Sequence, residues 1–332
     1  MRPTLRDRLL DATVAWSFDR SGFLRHQRGF DPRDLAVDLR GRRCVVTGAG
    51  AGLGLAAATG LARLGATVTL VCRDAARAEA AARAVLAESP GARVETAACD
   101  VADLASVRRF LAAAAPSRID ALVHNAGVLP LALERSAQGF ERTWATHLAG
   151  PFALTAGLLP ALRTAPGARV ITVTSGGMYP VRLDLDDWNW RRRPYDGVRA
   201  YAETKRAQVV LSAWWAEAVA TTPAAADVTF TAMHPGWART PGVERSLPRF
   251  DRLLRERLRS PAEGADTIVW LAAAERAAGP AAQGRLFFDR AAVPAHVLPW
   301  TRETAATRSL LVELLRAQVA PFVDLAALPA AG

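Results

Sequence analysis

The chain has 332 residues, of which 51% are hydrophobic, enough for one large domain with a full core. Its net charge is +10, but the arginines are scattered and form no dense basic patch among aromatic residues, which argues against nucleic-acid binding. No apolar run approaches the roughly 18 residues that span a bilayer, and no apolar signal-peptide core is present, so we expect a cytoplasmic location.

Residues 1–40 are predicted to form an N-terminal helical extension. In "LRDRLLDATVAW", apolar side chains recur along one helical face, with charged residues on the other. Packing of this face on the protein's own domain is the favoured interpretation, and attachment to a membrane surface is the alternative. The apolar face consists of Leu5, Leu9, Ala12 and Trp16.

From Arg42 onward, short β-rich runs alternate with long helical runs. Strands are predicted at "RRCVVTG", "ATVTLVC", "ARVETAACD", "RIDALVHNAG", "ARVITVTS" and "DVTFTAMHPG", and helices over 52–64, 74–88, 103–114 and 197–221. This alternation indicates an α/β fold, a doubly wound parallel sheet of the Rossmann type with helices on both faces. We predict one domain over 41–295 and a C-terminal extension over 296–332. Ligands of such sheets bind beyond the carboxyl ends of the strands.

The first predicted strand ends in the glycine-rich stretch "TGAGAGLG". Gly48, Gly52 and Gly54 allow a tight turn, and backbone N–H groups at the start of the next helix, where Leu53 lies, can approach a pyrophosphate. The spacing is T-G-x-x-x-G-x-G and not the commoner G-x-G-x-x-G. A plain turn is the alternative, but the position between a strand and a helix favours a nucleotide cofactor.

The stretch "YAETK" places Tyr201 four residues before Lys205 on a predicted helix, so both side chains can reach one site. A phenol with an ordinary pKa of about 10 is a poor acid–base group near neutrality, and a cationic neighbour favours the phenolate. Tyr179 and Tyr195 have no lysine four places later, and we interpret them as packing or loop residues. Taken alone, the pair could also be a packing tyrosine and a surface lysine.

Five motifs follow one another along the chain: "TGAGAGLG", "NAG" at 125–127, Ser175 after the fifth predicted strand, "YAETK", and "HPG" at 234–236. Together they resemble the short-chain dehydrogenase/reductase superfamily over about residues 40–290. The long gap between Ser175 and Tyr201 and the loop "HPGWARTPGV" are similar to its retinol-dehydrogenase-like branch.

This resemblance implies an oxidoreductase in which Tyr201 exchanges the substrate proton, Lys205 binds the nicotinamide ribose, and Ser175 orients the substrate carbonyl or hydroxyl. It also implies cofactor contacts beyond the glycine loop. These are Asp100 and Val101 at the adenine, Asn125 and Gly127 beside the open sheet end, and Pro235, Gly236 and Thr240 next to the nicotinamide amide.

One position departs from the family pattern. The fourth catalytic residue of the family is an asparagine three places before the glycine of "GPFALT", and here that position is His147. An imidazole has an ordinary pKa of about 6.5 and can both donate and accept hydrogen bonds. We expect His147 to replace the asparagine in the proton relay, and a purely structural histidine is the alternative.

The cofactor and the substrate class can also be predicted. The second predicted strand ends with Cys72, where an acid would exclude a 2′-phosphate, and Arg73 follows it. We therefore expect NADP(H) to be favoured over NAD(H), with Arg73 on the phosphate. Residues 237–260 mix apolar and charged side chains and resemble the family's substrate lid. An apolar retinoid-, steroid- or lipid-like carbonyl or alcohol is the expected substrate.

Other functions and partners are weaker hypotheses. A cofactor-binding sensor or scaffold without turnover would tolerate the missing asparagine. A nucleotide-sugar epimerase shares Tyr-x-x-x-Lys, but Ala51 stands where its middle glycine would be. A homodimer and membrane-surface contact through the N-terminal helix are further hypotheses. The three cysteines lack metal-ligand spacing, so no metal is expected.

Overall fold

The computed structural model describes residues 10–11, 13–113, 115–220, 227–326 and 328. Much of the apolar face predicted at the N-terminus, namely Leu5, Leu9 and Ala12, lies outside these residues, as do the predicted helix ends at Ala114 and Thr221. Trp16 is described, and 46% of it is exposed.

One eight-stranded sheet runs through the described part of the chain, in the order β3-β2-β1-β4-β5-β6-β7-β8. All neighbours pair in parallel except β7 and β8, which are antiparallel. The order reverses between β1 and β4, which places a ligand crevice at the carboxyl ends of these strands. The predicted fold class is confirmed. The strands are β1 Arg43–Thr47, β2 Thr67–Cys72, β3 Arg93–Ala98, β4 Ala121–His124, β5 Arg169–Val173, β6 Thr229–Met233, β7 Leu286–Phe288 and β8 Ala291–Val293.

Helices connect the parallel strands and cover both faces of the sheet. Both predicted ends of the first two connecting helices, and the predicted start of the third, agree with the structure to within one residue. The helices are α1 Val14–Phe18, α2 Arg20–Gln27, α3 Gly52–Arg63, α4 Ala75–Glu88, α5 Leu104–Ala113, α6 Arg142–Arg163, α7 Gly197–Ala220, α8 Pro241–Ser246, α9 Pro248–Leu254, α10 Pro261–Ala273 and α11 Ala305–Val319.

Two hydrophobic layers, one on each face, hold the helices to the sheet. The layer under α6 and α7 contains Phe152, and the layer under α3 and α10 contains Leu61 and Ile268; all three are 0% exposed. Burying a side chain of this size stabilises the fold by about 1.5–3 kcal/mol. Helix α6 is long and apolar enough to cross a membrane, but 83% of its most apolar window is buried inside the fold, as expected of a core helix.

The N-terminal residues 13–27, here called the strap, contain α1 and α2 and cross the carboxyl edge of the sheet. The backbone N–H of Trp237 donates to Phe18 O at 2.8 Å, directly after β6. The carboxylate of Asp19 accepts hydrogen bonds from Arg257 Nε at 2.9 Å and Nη2 at 2.6 Å. The described part of the N-terminal extension therefore packs on the domain, against the end of the predicted lid.

Candidate active site

Tyr201 and Lys205 lie on one face of α7, beneath the carboxyl end of β5. Lys205 is 3% exposed, and its Nζ donates to Val173 O at 2.9 Å. The same Nζ lies 5.4 Å from the centroid of the Tyr201 ring. The structure thus brings the two predicted residues together at the end of a strand, where the fold places ligands.

Burial dominates the electrostatics of this pair. It lowers the pKa of Lys205 to about 7, because the charged ammonium loses its water. It also raises the pKa of Tyr201, and a hydrogen bond with Ser175 offsets only part of that rise. For the protein alone, desolvation therefore shifts the pKa of the phenol upward, opposite to the lowering expected from the lysine charge.

Ser175 follows β5 and begins the short helical turn Gly176–Met178. Its Oγ accepts from the backbone N–H of Gly177 at 3.2 Å and is hydrogen-bonded to Tyr201. The backbone at Ser175 is extended, with φ −149° and ψ 145°. Ser175, Tyr201 and Lys205 therefore occupy one site, as the sequence predicts.

His147 lies beside this site, in a π-helical turn of α6 over Ala145–Ala149. Its Nε2 accepts from the Val128 backbone N–H at 3.1 Å, and its Nδ1 lies 2.8 Å from Thr204 Oγ1. Because the Thr204 hydroxyl donates to Tyr201 O at 2.9 Å, Nδ1 carries the imidazole proton and donates it to Oγ1.

Burial and the nearby Lys205 charge hold the pKa of His147 well below its ordinary value. The imidazole is therefore neutral near pH 7, and both ring nitrogens have partners. The ring packs edge-on against Tyr201, at 5.4 Å between centroids. The proton relay expected from the sequence required an imidazole that titrates near neutrality. In the structure the His147 imidazole does not titrate there.

The main-chain carbonyl of His147 also has an unusual partner. Four residues later stands Pro151, which has no N–H to donate to that carbonyl. Gln208 Nε2 donates to it instead, at 3.0 Å. Behind Gln208 a small cavity is lined by three buried polar atoms without a hydrogen-bond partner among the described residues, a setting in which proteins hold internal water. These atoms are His124 Nδ1, Gln208 Oε1 and Ser212 Oγ.

Two glycines of the loop, Gly48 and Gly54, leave no room for a side chain. A Cβ on Gly48, whose φ is +65°, would lie 2.8 Å from Ala126 Cα, and one on Gly54 would lie 2.4 Å from Asn125 Nδ2. The Asn125 amide donates to Thr47 O at 2.9 Å and to Gly48 O at 3.3 Å, which holds the turn against the loop after β4. Asn125 thus supports the shape of the loop.

Helix α3 begins beside this loop at Ala51, with no side chain capping its first N–H groups. The uncapped N–H groups of Gly52 and Leu53 and the positive end of the helix dipole make this a site for a phosphate anion. A Cβ on Gly52 would lie 3.4 Å from Thr240, which begins α8. These features fit the pyrophosphate of a dinucleotide.

Arg73 follows β2 and is exposed beside the glycine loop. A second exposed arginine, Arg77, also lies close to the glycine loop. A Cβ on Gly50 would lie 3.4 Å from Cys72 Sγ and 3.6 Å from Arg77 Cβ. The sequence analysis missed Arg77. Its neighbour Gly50 lies far away along the chain, so no local pattern indicates it.

Asp100 and Val101 follow β3, as predicted. The Asp100 carboxylate accepts from the Ala102 backbone N–H at 3.0 Å and from Arg142 Nη2 at 3.3 Å. A Cβ on Gly150 would lie 1.9 Å from Val101 O, so α6 packs closely against this loop. Both residues border the crevice on the β3 side.

The remaining predicted positions lie at the other end of the crevice. Gly127 is exposed, and a Cβ there would lie 3.3 Å from His147 Nε2 and 3.7 Å from Lys205 Nζ. Pro235 and Gly236 follow β6, and Gly236 has φ +68°. The lid region contains α8 and α9, and Ser246 Oγ at the end of α8 donates to Leu129 O at 2.8 Å.

A separate cavity of about 1900 Å³ lies between the strap and β8. Phe18 and Trp237 line it, together with Gly176 and Gly177, the two residues after Ser175. The catalytic candidates themselves are not among its lining residues, so the cavity adjoins the reaction centre without containing it.

Comparison with known proteins identifies the family. Residues 42–184 match the model of the short chain dehydrogenase family. Over 315 residues the chain is 39% identical to dehydrogenase/reductase SDR family member 12 of Bos taurus, covering 92% of this chain and 97% of that protein. The chain belongs to the short-chain dehydrogenase/reductase family of oxidoreductases. The family predicted from the motifs is confirmed.

Two further similarities place this oxidoreductase among its relatives. Human retinol dehydrogenase 13 is 35% identical over 202 residues, 60% of each chain, which agrees with the predicted retinol-dehydrogenase-like branch. The structure of L-sorbose reductase from Gluconobacter frateurii, complexed with NADPH and L-sorbose, has a TM-score of 0.61 at 25% identity and covers 79% of this chain and 98% of its own. Similarity to member 12 was also expected from the long gap before Tyr201 and from the "HPGWARTPGV" loop.

Proposed function

We propose that the protein is an NADP(H)-dependent reductase or dehydrogenase of apolar carbonyls and alcohols that works through Ser175, Tyr201 and Lys205. One observation carries the proposal: a half-buried tyrosine, hydrogen-bonded to Ser175, shares the end of β5 with a buried lysine. This grouping lies at the same sheet edge as an uncapped helix start inside a glycine loop.

The raised pKa of Tyr201 keeps its phenol protonated near neutrality, so a proton is present for transfer to the substrate. In the reducing direction, a nicotinamide cofactor held by the glycine loop and Lys205 would supply the hydride for the substrate carbonyl carbon. The Tyr201 hydroxyl, oriented by Ser175, then gives its proton to the substrate oxygen, which yields the alcohol. With a pKa of about 7, Lys205 can return a proton to the phenolate near neutrality.

The neutral imidazole of His147 supports a positioning role in this reaction. Through the Val128 N–H and Thr204 Oγ1, its two nitrogens tie the loop after β4 to the helix that carries Tyr201. Its carbonyl is occupied by Gln208. In our proposal His147 therefore replaces the asparagine by joining the loop after β4 to helix α7. Proton transfer through its ring is the alternative.

The cofactor proposal concerns the 2′-phosphate. Cys72 places no negative charge at the end of β2. Arg73 and Arg77, which carry guanidinium groups, both lie beside the glycine loop. Arginine binds phosphate by charge-assisted hydrogen bonds. These features favour NADP(H) over NAD(H).

The apolar lid favours an apolar substrate. Leu253 on α9 is 82% exposed, and Phe250 packs on Trp237 at 5.4 Å between ring centroids, close to the crevice. Leu253 and Phe250 belong to the segment that resembles the family's substrate lid, so this segment presents apolar side chains to a ligand. Retinoid-, steroid- or lipid-like aldehydes and ketones match this surface.

The test is a panel of aliphatic, retinoid and steroid carbonyls, and of the matching alcohols, assayed with NADPH, NADH and their oxidised forms. We expect turnover of apolar carbonyls with NADPH. Cofactor binding without turnover of any member of the panel would instead favour a sensor or scaffold. Tight binding of a nucleotide sugar would favour the epimerase.

A further inference from the structure

Phe18, in the strap, contacts the loop that contains Ser175 and the loop after β6. Its carbonyl oxygen accepts from the Trp237 N–H at 2.8 Å, in the loop after β6. Its ring lies 4.8 Å, between centroids, from the imidazole of His234 in that loop. The same ring also reaches the loop after β5, which begins with Ser175.

The contact with that second loop depends on a glycine. A Cβ on Gly176 would lie 2.3 Å from Phe18 Cε2, and its three nearest neighbours would all be atoms of the Phe18 ring. Position 176 has no positive φ that would require glycine for backbone reasons. Glycine is needed there because the Phe18 ring occupies the space of a side chain.

The backbone of Phe18 makes an equally close approach to the loop after β6. A Cβ on Gly236 would lie 2.6 Å from Phe18 O and 2.7 Å from Arg259 Cζ. One strap residue therefore lies against the residue after Ser175 with its ring and against Gly236 with its carbonyl.

The same short loop carries the Ser175 hydroxyl. Ser175 caps the turn that begins at Gly176, and its hydroxyl is hydrogen-bonded to Tyr201. The Phe18 ring therefore packs on the backbone directly after the serine. Displacement of the ring would leave the serine free to move away from the phenol.

Buried charges anchor the strap in this position. Arg259, which is 1% exposed, donates from Nη2 to Ser17 O at 2.9 Å and from Nε to Asp19 O at 3.2 Å, on either side of Phe18. Its guanidinium also pairs with Asp289, at 2.5 Å between Nη1 and Oδ1. The backbone on both sides of Phe18 is thus tied to one fully buried arginine.

We propose that Phe18 is a positioning residue of the active site, one that clamps the Ser175–Gly177 loop and the loop after β6 in their reactive arrangement. The N-terminal strap then completes the reaction centre from outside the dinucleotide-binding motifs. This inference rests on the proposed function, because its readout is the chemistry of Ser175 and Tyr201.

The first experiment compares Phe18→Ala with the matched control Phe23→Ala. Phe23 lies in the same strap and is 3% exposed, and its described ring contacts are with Phe30 and Arg259. We expect Phe18→Ala to lower kcat by about tenfold to a hundredfold, with the Kd of NADPH unchanged, because small displacements of reacting groups cost this much. Phe23→Ala should lower Tm at least as far and leave kcat close to that of the parent.

The second experiment is a double-mutant cycle with Gly176→Ala. Alone, this substitution places a methyl group inside the Phe18 ring, so we expect a loss of both Tm and kcat. In the Phe18→Ala background the added methyl group has free space, and the second substitution should cause little further loss. Such non-additivity is specific to a direct contact between the two residues.

The outcomes separate this inference from the proposed function. If the parent protein binds NADPH but reduces no carbonyl of the panel, the proposed function fails, while the Tm cycle still reports the contact. If the parent is active, and Phe18→Ala and Phe23→Ala lose kcat in proportion to their loss of Tm, Phe18 is a packing residue only. Additive effects of Phe18→Ala and Gly176→Ala would overturn the clamp.

Discussion

The two ends of the crevice are built in different ways. The cofactor end uses glycines and the Asn125 amide, which all lie between residues 48 and 125 and act through backbone geometry. The opposite end joins the strap to residues that follow it by 238 to 242 positions, and it uses buried ion pairs. The family model matches residues 42–184, so it includes the first end and leaves out the strap and the lid.

This difference shows which kinds of site a sequence displays. A tight turn before a helix needs glycine at given positions, so its motif is local and recognisable. A buried arginine needs only some partner in space, and the partners of Arg259 come from three distant segments. The cofactor end can therefore be recognised along the chain, and the strap end only in three dimensions.

The largest effect is expected at the boundary between the two ends. Tyr201→Phe removes the proton donor and touches neither the glycine loop nor the strap. We expect kcat to fall by about 10²–10⁴-fold, with the Kd of NADPH largely unchanged, as measured by steady-state kinetics and fluorescence titration. Lys205→Ala should damage both quantities. Retention of more than about a tenth of the parent rate in Tyr201→Phe would contradict the assignment.

The titration of Lys205 tests whether burial dominates the reaction centre. Lys205 is the single lysine of the chain, so lysine labelled with ¹³C gives one side-chain resonance. We expect its midpoint at a pH of about 7 in the folded protein without cofactor, against about 10.4 in denaturant.

The same lysine makes stability depend on pH. Between pH 7 and about 10 the unfolded chain binds a proton that the folded chain lacks, so the free energy of unfolding should rise with pH over this range through Lys205. Lys205→Met should remove that slope. A midpoint near 10 in the folded protein would show that the ammonium is solvated.

The strap end can be broken by removing its central charge. Arg259→Met leaves buried Asp289 with His26 as its remaining partner and removes the bonds of the guanidinium to Ser17 O and Asp19 O; the loss of one member of a buried ion pair costs about 3–5 kcal/mol. The control is Arg63→Met, whose partner Glu88 and own side chain are each 57% exposed, and for which we expect little change. Denaturant unfolding measures the loss of stability in both variants. Equal losses would show that the buried charges at the strap contribute no more than an exposed ion pair.

Substitutions of His147 test the contact between the two ends of the crevice. His147→Ala should slow turnover by about tenfold, or about 1.4 kcal/mol, because the Val128 N–H and Thr204 Oγ1 lose their partner. His147→Asn should recover most of the rate. Because the pKa of His147 lies well below 6.5, parent and His147→Asn should show the same kcat profile between pH 6 and 7. A step in this range that only the parent shows would restore the ring as a proton carrier.

An effect of the same size as that of His147→Ala is expected at the far side of the cofactor end. Arg73→Ala and Arg77→Ala should each weaken NADPH binding by about tenfold and leave NADH binding unchanged, since each removes a charge-assisted hydrogen bond. Arg83→Ala, an exposed arginine farther along α4, is the control. If neither Arg73 nor Arg77 changes the ratio of the two affinities, the phosphate is held elsewhere.

The sequence predicted which site residues lie together better than it predicted their pKa shifts. Tyr201 and Lys205 were recognised because a helix brings positions four apart to one face. The direction of the Tyr201 pKa shift was missed, because it depends on burial, which a pairwise spacing does not report. Arg77 and Phe18 were missed for a related reason: their partners are the glycine loop and Gly176, and neither contact shows as a local pattern.

The long-range contacts of the strap also determine the order in which this enzyme can complete its folding. A chain made from its N-terminus has the strap available first, yet the partners of Asp19 stand 238 and 240 positions later. Contacts of such long sequence separation form late in folding. During synthesis the crevice would therefore take shape with Ser175 unsupported, and catalytic competence would come only with the last third of the chain.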